Sequence, residues 1–271
     1  MSQPKNQTSG RLPVSAGLIL GLLCFLWGAQ AVSIRFSNQG MPPLMSAALR
    51  SLVAGALVMA YARIKGRGVA FPPGKNRHAL VIGLLFGLEF LFVYWGLAFT
   101  PASRSAIFLY THPFWVALGA HFFLKGDRLT PAKIFGLVAA FGGVAAVFQA
   151  RSPELPPFYW VGDLMEVSAA MFWAATTLYI KRITEKVSLD HFQILFAQLI
   201  YSLPVLVLGS VLFEMPADLN LNFIILAALF YQSVVVAFAS YLVWFWLIQR
   251  HTVSRLAAFT FMAPLFAVIL G

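Results

Sequence analysis

The sequence predicts an all-α polytopic membrane protein, an inverted repeat of five-helix units with nine of an expected ten helices present. Three observations predict it. Of 271 residues, 60% are hydrophobic and only 10% are charged, far more apolar than a soluble domain. Apolar runs recur at about the 20 residues a helix needs to cross a hydrocarbon core of roughly 30 Å, and the short alternating segments of a membrane β-barrel do not occur. The chain also repeats itself. Ser103–Pro113 reads SRSAIFLYTHP and Ser254–Pro264 reads SRLAAFTFMAP. Both contain Ser-Arg-x-Ala-x-Phe, four further residues, then Pro, and they lie 151 residues apart.

The elements follow in order. Residues 1–13 are polar, carry Lys5 and Arg11, and read as a cytoplasmic tail. The first span is Val14–Ile34. Its Ala29-Gln30-Ala31 resembles a signal-peptidase site, but the apolar run is too long for a signal peptide and continues past it, so the span is expected to be retained. Spans two to five are Leu44–Ile64, His78–Phe99, Arg104–Leu124 and Pro131–Ala150, which completes a first unit, 14–150. Thr130-Pro131 starts the fifth span, whose Gly136, Gly142 and Gly143 suit close helix packing. The proline-rich segment 151–158 is a linker. Spans six to nine are Tyr159–Ile180, Phe192–Phe213, Phe223–Ile248 and Ser254–Gly271. They make a second unit, 159–271, cut short before its fifth helix, so a tenth helix is expected beyond Gly271.

Orientation follows from the basic residues. With the N-terminus inside, 15 Lys and Arg fall in cytoplasmic segments and three (Arg35, Arg104, Arg151) on the other side, with Arg50 inside a span. Five spans per unit means that the second unit starts from the opposite face. Such inverted repeats are typical of secondary transporters, with a site near the midplane where the units meet. The net charge of +10 sits in short loops, which suits lipid headgroups and argues against nucleic acid. A single cysteine, Cys24, and five scattered histidines offer no disulfide or metal-ligand spacing, and no cofactor is expected. No phosphate-binding glycine loop is present, which argues against coupling to ATP.

Several motifs carry a family resemblance: Phe25-Leu26-Trp27-Gly28, Ala48-Leu49-Arg50, Gly96-Leu97-Ala98-Phe99-Thr100-Pro101-Ala102-Ser103, His112-Pro113 and Gly126-Asp127-Arg128-Leu129-Thr130. Through them the chain resembles the EamA family of the drug/metabolite transporter superfamily over essentially its full length. Gly126–Thr130 resembles that family's Gly-Glu-x-Leu-Thr with Asp for Glu. The resemblance implies ten helices in two inverted repeats around a central cavity, exporting or exchanging small metabolites. The motifs identify the family, not the substrate.

Candidate sites are positions where the two units differ in polarity. Glu89, mid-span, falls opposite Ser240; His112 falls opposite Ala263; Arg50 falls near Gln198. A carboxylate at the bilayer centre costs several kcal/mol, so Glu89 must face a wet cavity, pair with a cation or be protonated. It reads either as a proton-coupling group or partner for a substrate ammonium, or as a neutral side chain gluing helices. His112 precedes Pro113, so it serves either the carbonyl that the proline frees or a proton relay or substrate contact. Arg50 lies near one end of its span and is expected to snorkel, a structural use weighed against substrate binding. Trp27 and Trp173 occupy matched positions, as packing or as paired cavity walls. Glu166, Trp173, Thr176 and Thr177 recur on one helical face, with Glu166 expected at a cavity mouth. Tyr110, Tyr231 and Tyr241 are further polar handles. Pro113 and Pro264 are expected to kink their helices at equivalent depths and to serve structure or hinging.

A membrane transporter of amino acids, amines or drug-like molecules, by alternating access, is the leading expectation. It would have the lipid bilayer, a small-molecule substrate and protons as partners, in a bacterial inner membrane; a homodimer is compatible with the pattern. No catalytic residues are assigned. The alternatives are an enzyme embedded in the membrane and acting on lipid-type substrates, which would want clustered carboxylates beyond Asp163 and Glu166, and a passive channel.

Overall fold

The computed structural model describes residues 12–149, 155, 157–215 and 219–270, and these form helices joined by turns. The first unit contains α1 (Val14–Ser37), α2 (Pro43–Ile64), α3 (Asn76–Phe99), α4 (Ala102–Leu109), α5 (His112–Phe123) and α6 (Pro131–Gln149). The second contains α7 (Tyr159–Thr184), α8 (His191–Ile200), α9 (Leu203–Phe213), α10 (Phe223–Phe230), a π-helical segment (Tyr231–Ser240), α11 (Tyr241–Arg250), α12 (Val253–Phe259) and α13 (Met262–Leu270). Joined across their breaks, the helices among the described residues are the nine spans expected. Most of the 151–158 linker, and Ala150, lie outside the described residues. Six of the spans are long and apolar enough to cross a membrane. The side chains that point outward are large and apolar, as on Leu18, Phe122, Phe135 and Leu208, while Leu20, Ile82, Leu199 and Leu247 fill the interior. A surface this apolar is one made for lipid.

Three spans are interrupted, at Tyr110–Thr111, Tyr201–Ser202 and Thr260–Phe261. A proline follows each break within four residues: Pro113, Pro204 and Pro264. Proline has no N–H to donate and its ring clashes with the preceding turn, so a carbonyl upstream loses its helical donor. A local side-chain hydrogen bond accompanies each break. Thr111 Oγ1 donates to the Phe108 carbonyl (2.6 Å), Ser202 Oγ to Leu199 (2.8 Å) and Thr260 Oγ1 to Ala257 (2.7 Å). These carbonyls lie one to three residues before the ones that the prolines free (Leu109, Ile200 and Thr260), so the hydroxyls close the last turn of each preceding half-helix, and neither His112 nitrogen takes the role that the sequence offered it. The break in span seven, which the sequence reading takes as continuous, sits on Gly83, where an added methyl would come within 2.5 Å of the Tyr201 carbonyl carbon.

Contacts between the units come in matched sets. Span three packs on span six through α3 and α7, and its counterpart is α1 against α10 and the π segment. The fourth span lies along α7 as α13 lies along α1. Spans two and seven pack on each other, as do four and nine. This is the pattern of two units related by a pseudo-two-fold axis. At the α3–α7 contact, Gly96 and Gly162 bring the backbones together, since a methyl on either would lie 2.7 Å from an atom of the facing helix. Gly136, Gly142 and Gly143 do not act this way. A methyl on any of them would meet nothing within 4 Å among the described residues, because that face of α6 points outward.

The π segment departs from the continuous helix expected for span eight. Its wider turns aim polar side chains at α1: Tyr231 donates to the Leu26 carbonyl (3.0 Å), and Gln232 Nε2 to Ser37 Oγ (3.1 Å). At its end, Ser240 accepts from Trp27 Nε1 (3.0 Å). Single turns of π-helix are frequent at functional sites, and this longer stretch stops where α11 reaches the centre of the molecule.

Candidate functional site: a cavity between the units

Where α1, α3, α7, α8 and α11 converge on the α4–α5 break, they enclose a cavity of about 170 Å³. Its walls are mainly aromatic. Trp27 from α1 meets Tyr241 and Trp244 of α11 edge to face, with ring centroids 6.4 and 5.3 Å away. Phe86 and Phe90 come from α3, Tyr110 from the break, and Trp173 with Thr176 and Thr177 from α7. The polar groups are few: Glu89, Gln30, Gln198, the two threonines and two tyrosines.

Seven residues singled out from the sequence therefore share this cavity: Glu89, Trp27, Trp173, Thr176, Thr177, Tyr110 and Tyr241. Glu89 is 7% exposed, and its Oε2 is buried without a hydrogen-bond partner. His112 lies one layer behind the wall. Its ring stacks on Trp173 at 3.7 Å and 11°, and neither ring nitrogen has a partner.

Arg50 does not snorkel. It is fully buried, with its guanidinium 4.2 Å from the centroid of Phe90, and its three nitrogens are without hydrogen-bond partners. Position eight of a 22-residue helix is too far from either end for the side chain to escape, and α2 turns that face toward the second unit. No ion pair joins Arg50 and Glu89 among the described residues.

Glu166 is not at a mouth of this cavity. It is fully buried two turns away along α7, accepting a hydrogen bond from Ser105 Oγ (2.7 Å) and packed on Gly96. Asp163 beside it also has partners: Thr100 Oγ1 at 2.7 Å and Arg104 Nη2 at 2.5 Å. These donors come from the α3–α4 junction, distant in sequence, so the acidic pair looked isolated there. At the other end of the span, Asp127 receives Lys133 Nζ (2.7 Å), the Ser254 backbone N–H (3.0 Å) and a short hydrogen bond from Ser254 Oγ.

Four further lining residues, Gln30, Gln198, Phe86 and Phe90, are not site candidates in the sequence, where Gln30 enters only in the signal-peptidase-like tripeptide and Gln198 only opposite Arg50. The two amides carried a signal, being uncharged polar groups inside apolar runs. The phenylalanines carried none, since only tertiary packing decides which of 26 phenylalanines meets a cavity. Among the described residues no group of three or more His, Cys, Asp or Glu is placed to hold a metal ion.

The model of the EamA-like transporter family matches residues 15–149 and 160–271. The chain belongs to that family. Relatives span nearly all of it. An "uncharacterized transporter" of Archaeoglobus fulgidus is 26% identical over 93% of this chain and 86% of its own length. A "probable amino-acid metabolite efflux pump" of Salmonella typhimurium is 26% identical over 94% and 87%. A chloroplastic WAT1-related protein of Arabidopsis thaliana is 28% identical over 98% and 66%. A solved crystal structure superimposes with a TM-score of 0.79 at 23% identity, covering 94% of this chain and 88% of that one. It shares the fold. As an EamA-like transporter, the chain is a multi-pass membrane protein that acts on small molecules.

Proposed function

We propose that this EamA-like transporter is a secondary-active exporter or exchanger of small amines or amino-acid-like metabolites, working by alternating access between its two inverted repeats. The units are 14–150 and 159–271, joined by 151–158, in a bacterial inner membrane with the N-terminus cytoplasmic. The observation that carries the reading is Glu89: a carboxyl group with an unpartnered oxygen in an aromatic cavity between the units. Such a group is expensive to keep ionised in a membrane interior, so it holds a proton or a cationic substrate by turns. A carboxylate shared in that way couples the two movements. The indole and phenol rings suit an ammonium, through cation–π contact, and an apolar substrate body. The Salmonella relative, a "probable amino-acid metabolite efflux pump", supports the direction and the substrate class.

The test is uptake of radiolabelled amino acids and amines into proteoliposomes, with and without an imposed pH gradient. The expected result is accumulation driven by the gradient, and its loss in Glu89→Gln by about 100-fold or more, in line with removal of one essential proton-transfer group. Glu89→Gln transport that still follows the gradient would refute the coupling role. Flux that neither saturates nor responds to the gradient would identify a channel.

A further inference from the structure

We infer that Arg50 is the anion-binding subsite of the central cavity and that the substrate carries a carboxylate, so that the transported class is zwitterionic amino acids and not simple amines. This deepens the preceding reading and rests on it for the identity of the cavity. Four observations converge. Arg50 is fully buried, and none of its guanidinium nitrogens has a hydrogen-bond partner. An arginine stays charged in such a place and offers five N–H donors in a planar fork that matches a carboxylate. A structural role would use those donors on carbonyls or acids, as Arg104 uses its own on Asp163; Arg50 does not.

The second observation is position. Phe90 lines the cavity and carries the Arg50 guanidinium over its ring at 4.2 Å, with Phe86 beyond it at 6.0 Å. Arg50 is not itself in the cavity lining; the Phe90 ring is, so the subsite opens to the cavity when that ring turns aside. Third, other buried hydroxyls near Arg50 also lack partners. Ser46 lies one turn before it on α2 and Ser51 directly follows it, and both hydroxyls are buried without a partner. These are hydrogen-bond donors, suited to the second oxygen of a carboxylate. Fourth, Glu89 presents an unpartnered carboxylate oxygen at the same cavity without closing onto Arg50. Opposite charges held apart in a low-dielectric site fit a ligand that has both: its carboxylate on Arg50, its ammonium on Glu89, its side chain on Trp27, Trp173 and Tyr241.

Three probes of one shape separate the charges: phenylalanine, phenethylamine without the carboxylate, and 3-phenylpropanoate without the ammonium. Binding to the purified full chain in detergent is read by quenching of tryptophan fluorescence, since three tryptophans line the cavity. Phenylalanine is expected to bind about 10-fold to 100-fold more tightly than phenethylamine, the value of charge-assisted hydrogen bonds to a buried partner. In Arg50→Gln that ratio is expected to fall to near one. Arg50→Lys keeps the charge but loses the fork, and an intermediate ratio is expected; it serves if Arg50→Gln does not elute as a folded, monodisperse species. A ratio near one in the parent protein, an unchanged ratio in both variants, or no binding of any probe would overturn the assignment. Proton-gradient-driven flux of phenethylamine alone would sink the carboxylate subsite and leave the exchange reading standing. The predicted binding ratios without flux would do the reverse.

Discussion

The two copies of Ser-Arg-x-Ala-x-Phe do the same mechanical job with different chemistry. Each stands where a half-helix begins, and each grips a carboxylate from the other unit. In the first copy Arg104 and Ser105 at the start of the fourth span hold Asp163 and Glu166 of α7. In the second, Ser254 at the start of α12 holds Asp127 from the turn before α6, with Lys133 supplying the charge. One 20-residue span, 104–123, separates the two grips, so they lie at opposite faces of the membrane, about 30 Å apart. The first is an arginine fork with 31% of the arginine side chain in solvent; the second is a backbone N–H, a hydroxyl and a lysine around a carboxylate that is 3% exposed. The difference teaches that the motif is scaffold. It keeps the position of a cross-unit latch while leaving the donor free to change, and what is specific to the first copy, His112 against Trp173, lies past the latch and beside the cavity.

Breaking the latches one at a time sharpens this comparison most. Asp127→Ala removes the partner of two buried donors on Ser254 and of the partly exposed Lys133 at once, and leaves Lys133 and Ser254 facing each other. It is expected to cost about 2–4 kcal/mol, the range for orphaned buried polar groups and broken buried ion pairs. Asp163→Ala removes a pair in which Arg104 keeps 31% of its side chain in solvent and can turn to water, so about 1–2 kcal/mol is expected. Melting temperatures in detergent would rank the two. If Asp163→Ala proves the more damaging, burial is not what sets latch strength, and the asymmetry drawn here is wrong.

The spans were legible because an apolar run of membrane length has one structural meaning, and the repeat was legible because Pro113 and Pro264 fall in register. Less so was what happens inside a span. The break before Pro204 and the π segment 231–240 depend on partners across the interface, Gly83 in one case and the polar edge of α1 in the other. Charged and aromatic residues placed mid-span, such as Glu89 and Trp173, announced themselves through the cost of burying them or through their matched positions. Arg50 was misread for a physical reason: snorkelling is decided by which way a helix face points, and sequence spacing gives depth but not direction. Glu166 was misplaced likewise, since seven residues from Trp173 is the same face but another layer.

Acid provides a finer separation of the latches. Burial pushes the Asp127 carboxyl up, but the hydrogen bonds from Lys133 and Ser254 and the charge of Lys133 outweigh it and hold the group below its ordinary value of 3.8. The fold therefore favours the ionised form. Its contribution is fully present above that ordinary value and is lost as pH falls through the lowered one. The difference in melting temperature between the parent protein and Asp127→Asn is expected to stay constant from about pH 8 to pH 5 and to narrow only below about pH 4. A difference that already closes by pH 6 would mean that Asp127 is not held ionised by its latch.

The smallest effect expected is that of salt, and it bears on the same contrast. A partly exposed ion pair is screened once the Debye length falls to the scale of the pair's surroundings, as it does between about 0.05 M and about 0.5 M salt. Across that range the Arg104–Asp163 latch is expected to weaken by a few tenths of a kcal/mol, while the Asp127 latch, shielded by α12 and by Lys133, changes less. The clean measurement is a difference of differences: the stability lost on Asp163→Ala at low salt minus that lost at high salt, set against the same quantity for Asp127→Ala. A positive value for the first and a value near zero for the second would place the Arg104–Asp163 latch in solvent and the Asp127 latch in the protein. Equal values would show that both charges feel the same medium, and the two copies would then differ in sequence only.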